Sequence, residues 1–425
     1  FTIMIRSISS DKKGLQAPVI PPPMTPGIQV VHETAQSVLT DSKVGEGSFG
    51  VVTWGYSKLT GSPVVSKKIQ DRASAKSEIV ALKKGIPHTP RLREEFENDQ
   101  SLNIVMDHVN QKDIFHAFLS NTSTEKLTLC EIRSIAYQAL EFLAYLAERN
   151  LTYNDMKPEN MIWKRASNCL TIVDLASIRD EMNCDDSPER TFVYVAPEVL
   201  LEGTVTFSTD IWSLGCVLFH LIARDLLFYP PDGFTFEDPA EDMLLQMVGQ
   251  IGIPSNQFLE ECDIEIDPTL FQDAPASDWV SRITIALLKL GAKQMDVDAW
   301  IKLLSSMLCY ENRATAQQLL TNPLFGGEIR VKLISDPTTK CTMLLQGVII
   351  DFHIDKNRCL HIPRDPKDSY TLILKNQTQQ LKIPLTLKSG DVLDITPYLA
   401  KLASTGESST KRARTISATT SDNNS

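Results

Sequence analysis

The hydrophobic period of this chain changes twice, and a strand pattern and a helix pattern cannot share one element. From about 40 to 110, β-branched and aromatic residues alternate around glycine turns, which reads as strands. One helical stretch, 74–84, interrupts them. From about 113 to 326 the pattern is mostly helical. Within 131–148, Ile132, Ile135, Ala136, Ala139, Leu140, Leu143 and Leu146 lie on one side of a 3.6-residue repeat. After 327 the period returns to two in 329–333, 343–354, 370–374 and 381–395, with a turn at Ser389-Gly390-Asp391. Strands and helices that come in blocks, not in alternation, predict an α+β fold.

These switches also set the expected organisation. Residues 1–38, proline-rich over 17–27, are expected to form a flexible arm, because such a segment favours extended backbone and cannot pack a core alone. Residues 39–326 form the main domain, with a β-rich part at 39–110 and a mostly helical part at 111–326. A β-rich extension follows at 327–402. The Ser/Thr-rich tail, 403–425, is nearly without apolar residues and is expected to be disordered.

Charge excludes some partners. The net charge is −11 with no basic half, so neither nucleic acid nor an anionic membrane is expected, since both need clustered Lys and Arg. The run Lys411, Arg412, Arg414 is too short to change that. No apolar run reaches the roughly 18–20 residues of a spanning helix. The chain begins at Phe1, not Met, so an upstream segment is expected to be missing, and residues 1–5 are too short for a signal peptide. The eight cysteines form no CxxC pair, which predicts reduced thiols in an intracellular protein, cytoplasmic or nuclear, without structural zinc.

Chemistry enters at Gly45-Glu46-Gly47-Ser48-Phe49-Gly50-Val51-Val52. Glycines at this spacing let backbone amides approach phosphate oxygens with no Cβ in the way. Pro63-Val64-Val65-Ser66-Lys67 is a short apolar strand whose terminal lysine is placed to reach the α/β-phosphates. The most informative segment is Tyr153-Asn154-Asp155-Met156-Lys157-Pro158-Glu159-Asn160, directly after the long amphipathic helix. Asp155 can accept a proton from a substrate hydroxyl, Lys157 can neutralise a transferring γ-phosphate, and Asn160 can coordinate magnesium. Thr171-Ile172-Val173-Asp174 ends an apolar strand in a carboxylate that suits a hard cation bridging phosphates. Phosphoryl transfer needs this inventory: positioning, charge neutralisation and one base.

In this order, the segments resemble those of the eukaryotic protein kinases. The glycine loop is Gly45–Gly50, the strand lysine Lys67, the catalytic loop Tyr153–Asn160 and the metal-binding triplet Asp174-Leu175-Ala176. Ala196-Pro197-Glu198 closes the activation segment, Ser208-Thr209-Asp210-Ile211-Trp212 begins the central helix of the large lobe, and Arg313 matches the late arginine that pairs with Glu198. The resemblance implies a bilobal fold with a β-rich small lobe and a helical large lobe. It implies ATP and Mg2+, with protein substrates. Its expected catalytic set is Asp155, Lys157, Lys67, Glu78 and Thr191, where Glu78 pairs with Lys67 and Thr191 lies near Asp155. ATP is expected at Gly45, Gly47, Gly50, Val52, Lys67, Met106 (as gatekeeper) and the backbones of Asp107 and Val109. Asn160 and Asp174 are the expected metal ligands. Lys157-Pro158-Glu159 resembles the Ser/Thr kinases. The stretch 225–300 is similar to the insert of the cyclin-dependent, MAP and DYRK-like group, and a regulatory protein partner is expected there or on the β-rich extension.

Four positions depart from the family pattern; one, Tyr153 in place of histidine, is tolerated elsewhere in the family. Asn154 replaces the arginine that normally grips a phosphorylated activation segment, so activity is expected not to need that phosphorylation. Ala176 replaces the glycine of the metal triplet and is expected to disfavour flipping of Asp174. Val195 stands where the cyclin-dependent and MAP group commonly has arginine, so proline-directed specificity is not implied. The competing expectation is a pseudokinase, a binding module with weak or no catalysis.

Overall fold

A computed structural model describes residues 29–47, 50–98, 101–109, 112–180, 191–201, 205–229, 239–262 and 278–325, together with the strand backbone within 330–394. The proline-rich stretch 17–27, residues 48–49 of the glycine loop, 181–190, parts of the 225–300 stretch, the turn at 389–391 and the tail 403–425 lie outside the described residues. The chain forms two compact units. One comprises residues up to 75 with 91–108; the other comprises 76–90 with everything from 109 onward.

The first unit is built on one sheet. Strands β1 (Val30–Glu33), β2 (Ser37–Gly47), β3 (Gly50–Ser57), β4 (Pro63–Ile69), β5 (Leu92–Asn98) and β6 (Ser101–Asp107) take the antiparallel order β1-β2-β3-β4-β6-β5. Helix α1 (Arg72–Lys83) falls where the helical stretch is expected, at 74–84, and belongs to the second unit from residue 76 onward. Strand β1 is an addition to the sequence expectation, since 30–33 belong to the stretch expected to be a flexible arm. The two ends of this strand order touch through side chains: His32 stacks on Phe96 at 4.4 Å, and Thr34 Oγ1 donates to Glu94 Oε1 at 2.7 Å. Leu39, Val64 and Val105 pack beneath, with Phe96 against them.

Gly50 opens β3 with φ +148°, and a Cβ there would sit 2.1 Å from the Lys68 carbonyl oxygen on the neighbouring strand. No side chain fits without moving β4 backbone, so glycine is required by contact as well as by dihedral.

The second unit is helical around a hairpin core. Its first long helix, α2 (Leu129–Ala147), starts at a capping box in which Thr128 and Glu131 satisfy each other's amides. Three short pieces follow: β7 (Leu151–Thr152), the hairpin β8 (Met161–Lys164) with β9 (Cys169–Ile172), and β10 (Arg179–Asp180), which pairs with β7. Next come α3 (Pro197–Leu200) and α4 (Phe207–Ala223), whose residues Thr209 to Ile222 are all buried. Helices α5 (Pro239–Ile251), α6 (Asn256–Glu261), α7 (Trp279–Lys289), α8 (Gln294–Met307) and α9 (Ala316–Leu320) complete it. A helix buried all round must sit at the centre, and α4 is that centre.

Beyond 327, β11 (Arg330–Lys332) pairs in parallel with β16 (Val392–Asp394), while β12 (Lys340–Leu345), β13 (Val348–Phe352), β14 (Ser369–Lys375) and β15 (Gln380–Thr386) form an antiparallel sheet in the order β13-β12-β14-β15. The apolar run 343–354, read from sequence as one stretch, is a hairpin in which Leu345 faces Val348. Among the described residues, cysteines 130, 169, 216, 262 and 309 take part in no disulfide.

Replacing Gly50 by alanine is expected to destabilise the first unit by roughly 1–3 kcal/mol, as a strained backbone position does. Hydrogen exchange across β3 and β4 is the check; unchanged protection there would show that the strands absorb a Cβ.

Candidate active site

In the first unit, pairing register gathers the expected nucleotide-binding residues. Val52 lies opposite Gly45 on β2 and opposite Lys67 on β4, and Lys67 lies opposite Ile104 on β6. Directly opposed residues share a sheet face, and so do residues two apart on a strand. Gly45, Val52, Lys67 and Met106, two residues beyond Ile104, therefore mark a single face. Gly47 pairs with Gly50 to close the β2–β3 hairpin. Lys67 and Met106 are each 7% exposed. The Asp107 amide is already used, donating to Arg91 O at 3.1 Å. The Asp107 amide, one of the backbone groups expected to meet an adenine, is thus occupied within the sheet. Val109 lies just past β6. Glu78, on the part of α1 that belongs to the second unit, is 1% exposed.

In the second unit the catalytic-loop residues converge. Lys157 Nζ lies 2.8 Å from Asp155 Oδ1, and Asn160 Nδ2 donates to Asp155 Oδ2 at 2.6 Å and to its carbonyl at 3.0 Å. Both carboxylate oxygens are thus oriented. Burial pushes the Asp155 carboxyl up, against the lowering effect of Lys157 and Asn160. The loop is bound twice to Val173, between β9 and Asp174: Val173 N donates to Asn160 O at 2.9 Å, and the Tyr153 hydroxyl donates to Val173 O at 2.7 Å. The two expected metal ligands, Asn160 and Asp174, are thereby bracketed by one pair of hydrogen bonds. They offer an amide and a carboxylate, which is the hard-oxygen chemistry magnesium takes when it keeps waters and phosphates as its other ligands.

Two residues in this site have left-handed backbone, Asn154 at φ +64° and Asp174 at φ +58°. Asn and Asp tolerate that region better than other non-glycine residues. Asn154 also donates from Nδ2 to Thr152 Oγ1 at 2.8 Å. Ala176 sits in the 3-10 turn Leu175–Ser177, right-handed backbone that does not need the family's glycine.

Sequence reasoning missed the group that holds the loop. Asp210, 3% exposed on α4, accepts from Tyr153 N and from Asn154 N, each at 2.7 Å. A carboxylate in an otherwise apolar helix was the available signal, because a buried charge must be matched by donors.

The platform after the activation segment rests on the same helix. Arg313 Nη1 and Nη2 grip the two oxygens of Glu198 at 2.5 and 2.7 Å, and Thr209 Oγ1 donates to Glu198 Oε1 at 3.4 Å. Thr191 is exposed, just before the turn Phe192–Tyr194.

A family model described as the protein kinase domain matches residues 39–325. The chain belongs to the protein kinase family. The kinase domain therefore consists of a curled β-sheet lobe and a helical lobe, and it supports protein kinase activity, with ATP as the substrate that such a domain implies. Strand β1 and everything after Phe325 lie outside the matched span. Among the described residues of this kinase, no helix is long and apolar enough to cross a membrane.

Removing the Asp210 carboxylate by Asp210→Ala leaves two buried amides without an acceptor, at about 1–3 kcal/mol each. We expect a large loss of stability in urea unfolding, with deprotection concentrated at 152–155. A variant with a wild-type midpoint would mean that water replaces the carboxylate at no cost.

Proposed function

We propose that this kinase transfers the γ-phosphoryl group of ATP to serine and threonine hydroxyls of protein substrates. The observation that carries the reading is the Asp155 carboxylate, half-buried, raised in pKa and held at both oxygens by Lys157 and Asn160. A base so positioned takes the hydroxyl proton as the oxygen attacks phosphorus. Lys157 lies beside it to neutralise charge on the transferring group. Asn160 and Asp174 would hold magnesium, which supplies charge neutralisation across the phosphates. On the nucleotide side, the proposed contacts are the face of Gly45, Val52, Lys67 and Met106, the hairpin glycines Gly47 and Gly50, and the backbone at Asp107 and Val109. Lys67 and Glu78 are the remaining proposed catalytic residues, a role that the resemblance to the protein kinases gives them. Lys157-Pro158-Glu159 supports Ser/Thr over Tyr, and Thr191 is assigned to the substrate side.

The pseudokinase reading draws on Asn154 and Ala176. Both substitutions fit the backbone they occupy, and neither removes a group that orients Asp155. A left-handed asparagine whose amide is bound by Asp210 also keeps the loop in place without a phosphorylated residue elsewhere.

The first test compares γ-phosphate transfer from Mg-ATP to generic protein substrates by the wild type and Asp155→Asn. Transfer that vanishes in the variant and labels Ser or Thr supports the proposal; a folded, ATP-binding wild type that transfers nothing overturns it. Because the Asp155 pKa is raised above its ordinary 3.8, and the base must be ionised, activity is expected to fall as pH drops while still above that value. A flat rate down to pH 4 would contradict the role.

Phosphatase treatment is expected to leave the rate within about twofold. Asn154→Arg should lower stability by about 1 kcal/mol, the cost of a left-handed residue that is not Gly or Asn. An enzyme silenced by phosphatase would show that a phosphorylated residue is required after all.

A further inference from the structure

Helix α4 carries four buried polar side chains besides its apolar ones: Thr209, Asp210, Ser213 and His220. Three of them already have work: Thr209 reaches Glu198, Asp210 holds the catalytic loop, and Ser213 Oγ donates to Tyr194 O at 2.7 Å. The fourth, His220, lies seven residues beyond Ser213 and hence on the same face, two turns along. The Tyr194 hydroxyl meets His220 Nδ1 at 2.9 Å, and the two rings stack at 6.3 Å with 25° between their planes. Tyr194 is 5% exposed and His220 8%. Tyr194 therefore lies along α4 as a strut, its backbone fixed at one end and its hydroxyl at the other.

We infer that His220 is a positioning residue for the protein-substrate platform, acting through Tyr194; the inference rests on the kinase reading above. The turn Phe192–Tyr194 connects Thr191 to Ala196-Pro197-Glu198, and Tyr194 is its one buried side chain. Fixing Tyr194 at two points sets where that turn sits relative to Asp210 and hence to the catalytic loop, because both are referred to one rigid helix. The proton arrangement is consistent. Burial pushes Tyr194 up, with the Glu159 carboxylate adding to it, so the hydroxyl keeps its proton. Burial pushes His220 down to about 4, Asp225 opposing it and Arg224 adding to it by smaller amounts, so the ring is neutral and Nδ1 accepts.

The test is steady-state kinetics of His220→Leu, His220→Asn and Tyr194→Phe on the full chain. His220→Leu removes the acceptor, Tyr194→Phe the donor, and His220→Asn restores an acceptor oxygen near the place of Nδ1. We expect His220→Leu and Tyr194→Phe each to raise KM for a protein substrate by about tenfold, with KM for ATP within about twofold. The asparagine variant should recover most of this, and the Leu/Phe double variant should be no worse than either single, since coupled residues are not additive. Leu218→Ala, also buried on α4, is the control: it should lower Tm without raising KM for protein. An asparagine variant as impaired as the leucine one, or a His220→Leu that loses only Tm, overturns the inference. Should the wild type show no transfer at all, the kinase reading fails, and hydrogen exchange of 192–201 still decides the anchor. Faster exchange in His220→Leu and Tyr194→Phe than in Leu218→Ala supports it; equal exchange overturns it.

Discussion

One carboxylate on one helix fixes the geometry of the catalytic loop. Asp210 accepts from two successive amides, Tyr153 N and Asn154 N, and in extended backbone successive amides point to opposite sides, so the chain must turn for one carboxylate to reach both. The left-handed backbone at Asn154 is that turn. A single residue in this conformation costs an ordinary side chain about 1–2 kcal/mol, while two charge-assisted hydrogen bonds in a buried setting are worth more than that. The turn persists because the carboxylate over-determines it. Asp155 is the next residue, so the direction in which its side chain leaves the backbone follows from the same pair of bonds.

Helix α4 then acts as a common reference. Its apolar residues bury it in the second unit, and its few polar ones each bind a segment that matters to the chemistry. Asp210 holds the loop, Thr209 and the Arg313–Glu198 pair hold the start of α3, and Ser213 and His220 hold Tyr194. Trp212 on the same helix stacks on Phe228 with 6° between the rings and lies beneath the Arg313 guanidinium at 4.8 Å. A rigid rod with several attachments keeps distances between loops that do not touch one another.

The fold was legible in the sequence wherever periodicity decides structure. The period-two block, the amphipathic helix at 131–148 and the glycine hairpin all appear where pattern places them, because side-chain alternation is dictated by backbone geometry. The face shared by Val52, Lys67 and Met106 needed strand register, which pattern alone does not supply. Asp210 and His220 were missed for a different reason: their partners are 56 to 57 and 26 residues away, and no local rule pairs a buried polar group with a distant amide or hydroxyl. The run 343–354 was read as continuous because Val348, Ile349 and Ile350 extend the apolar stretch across a turn. Strand β1 was hidden by the proline-rich residues before it, and its stability comes from pairing with β2.

That edge strand bears on how the margin of the first sheet is finished. A sheet with free ends offers unpaired amides and carbonyls to any other chain, the usual seed of aggregation. Here the terminal strands lean on one another through His32 with Phe96 and Thr34 with Glu94, and β1 covers the outer edge of β2. A polypeptide trimmed to start at residue 39, the first residue of the family match, would lose this cover and leave the remainder of β2 as a long bare margin. The segment ahead of the family boundary thus works as a selvedge, finishing the cloth of the sheet so that it does not fray into its neighbours.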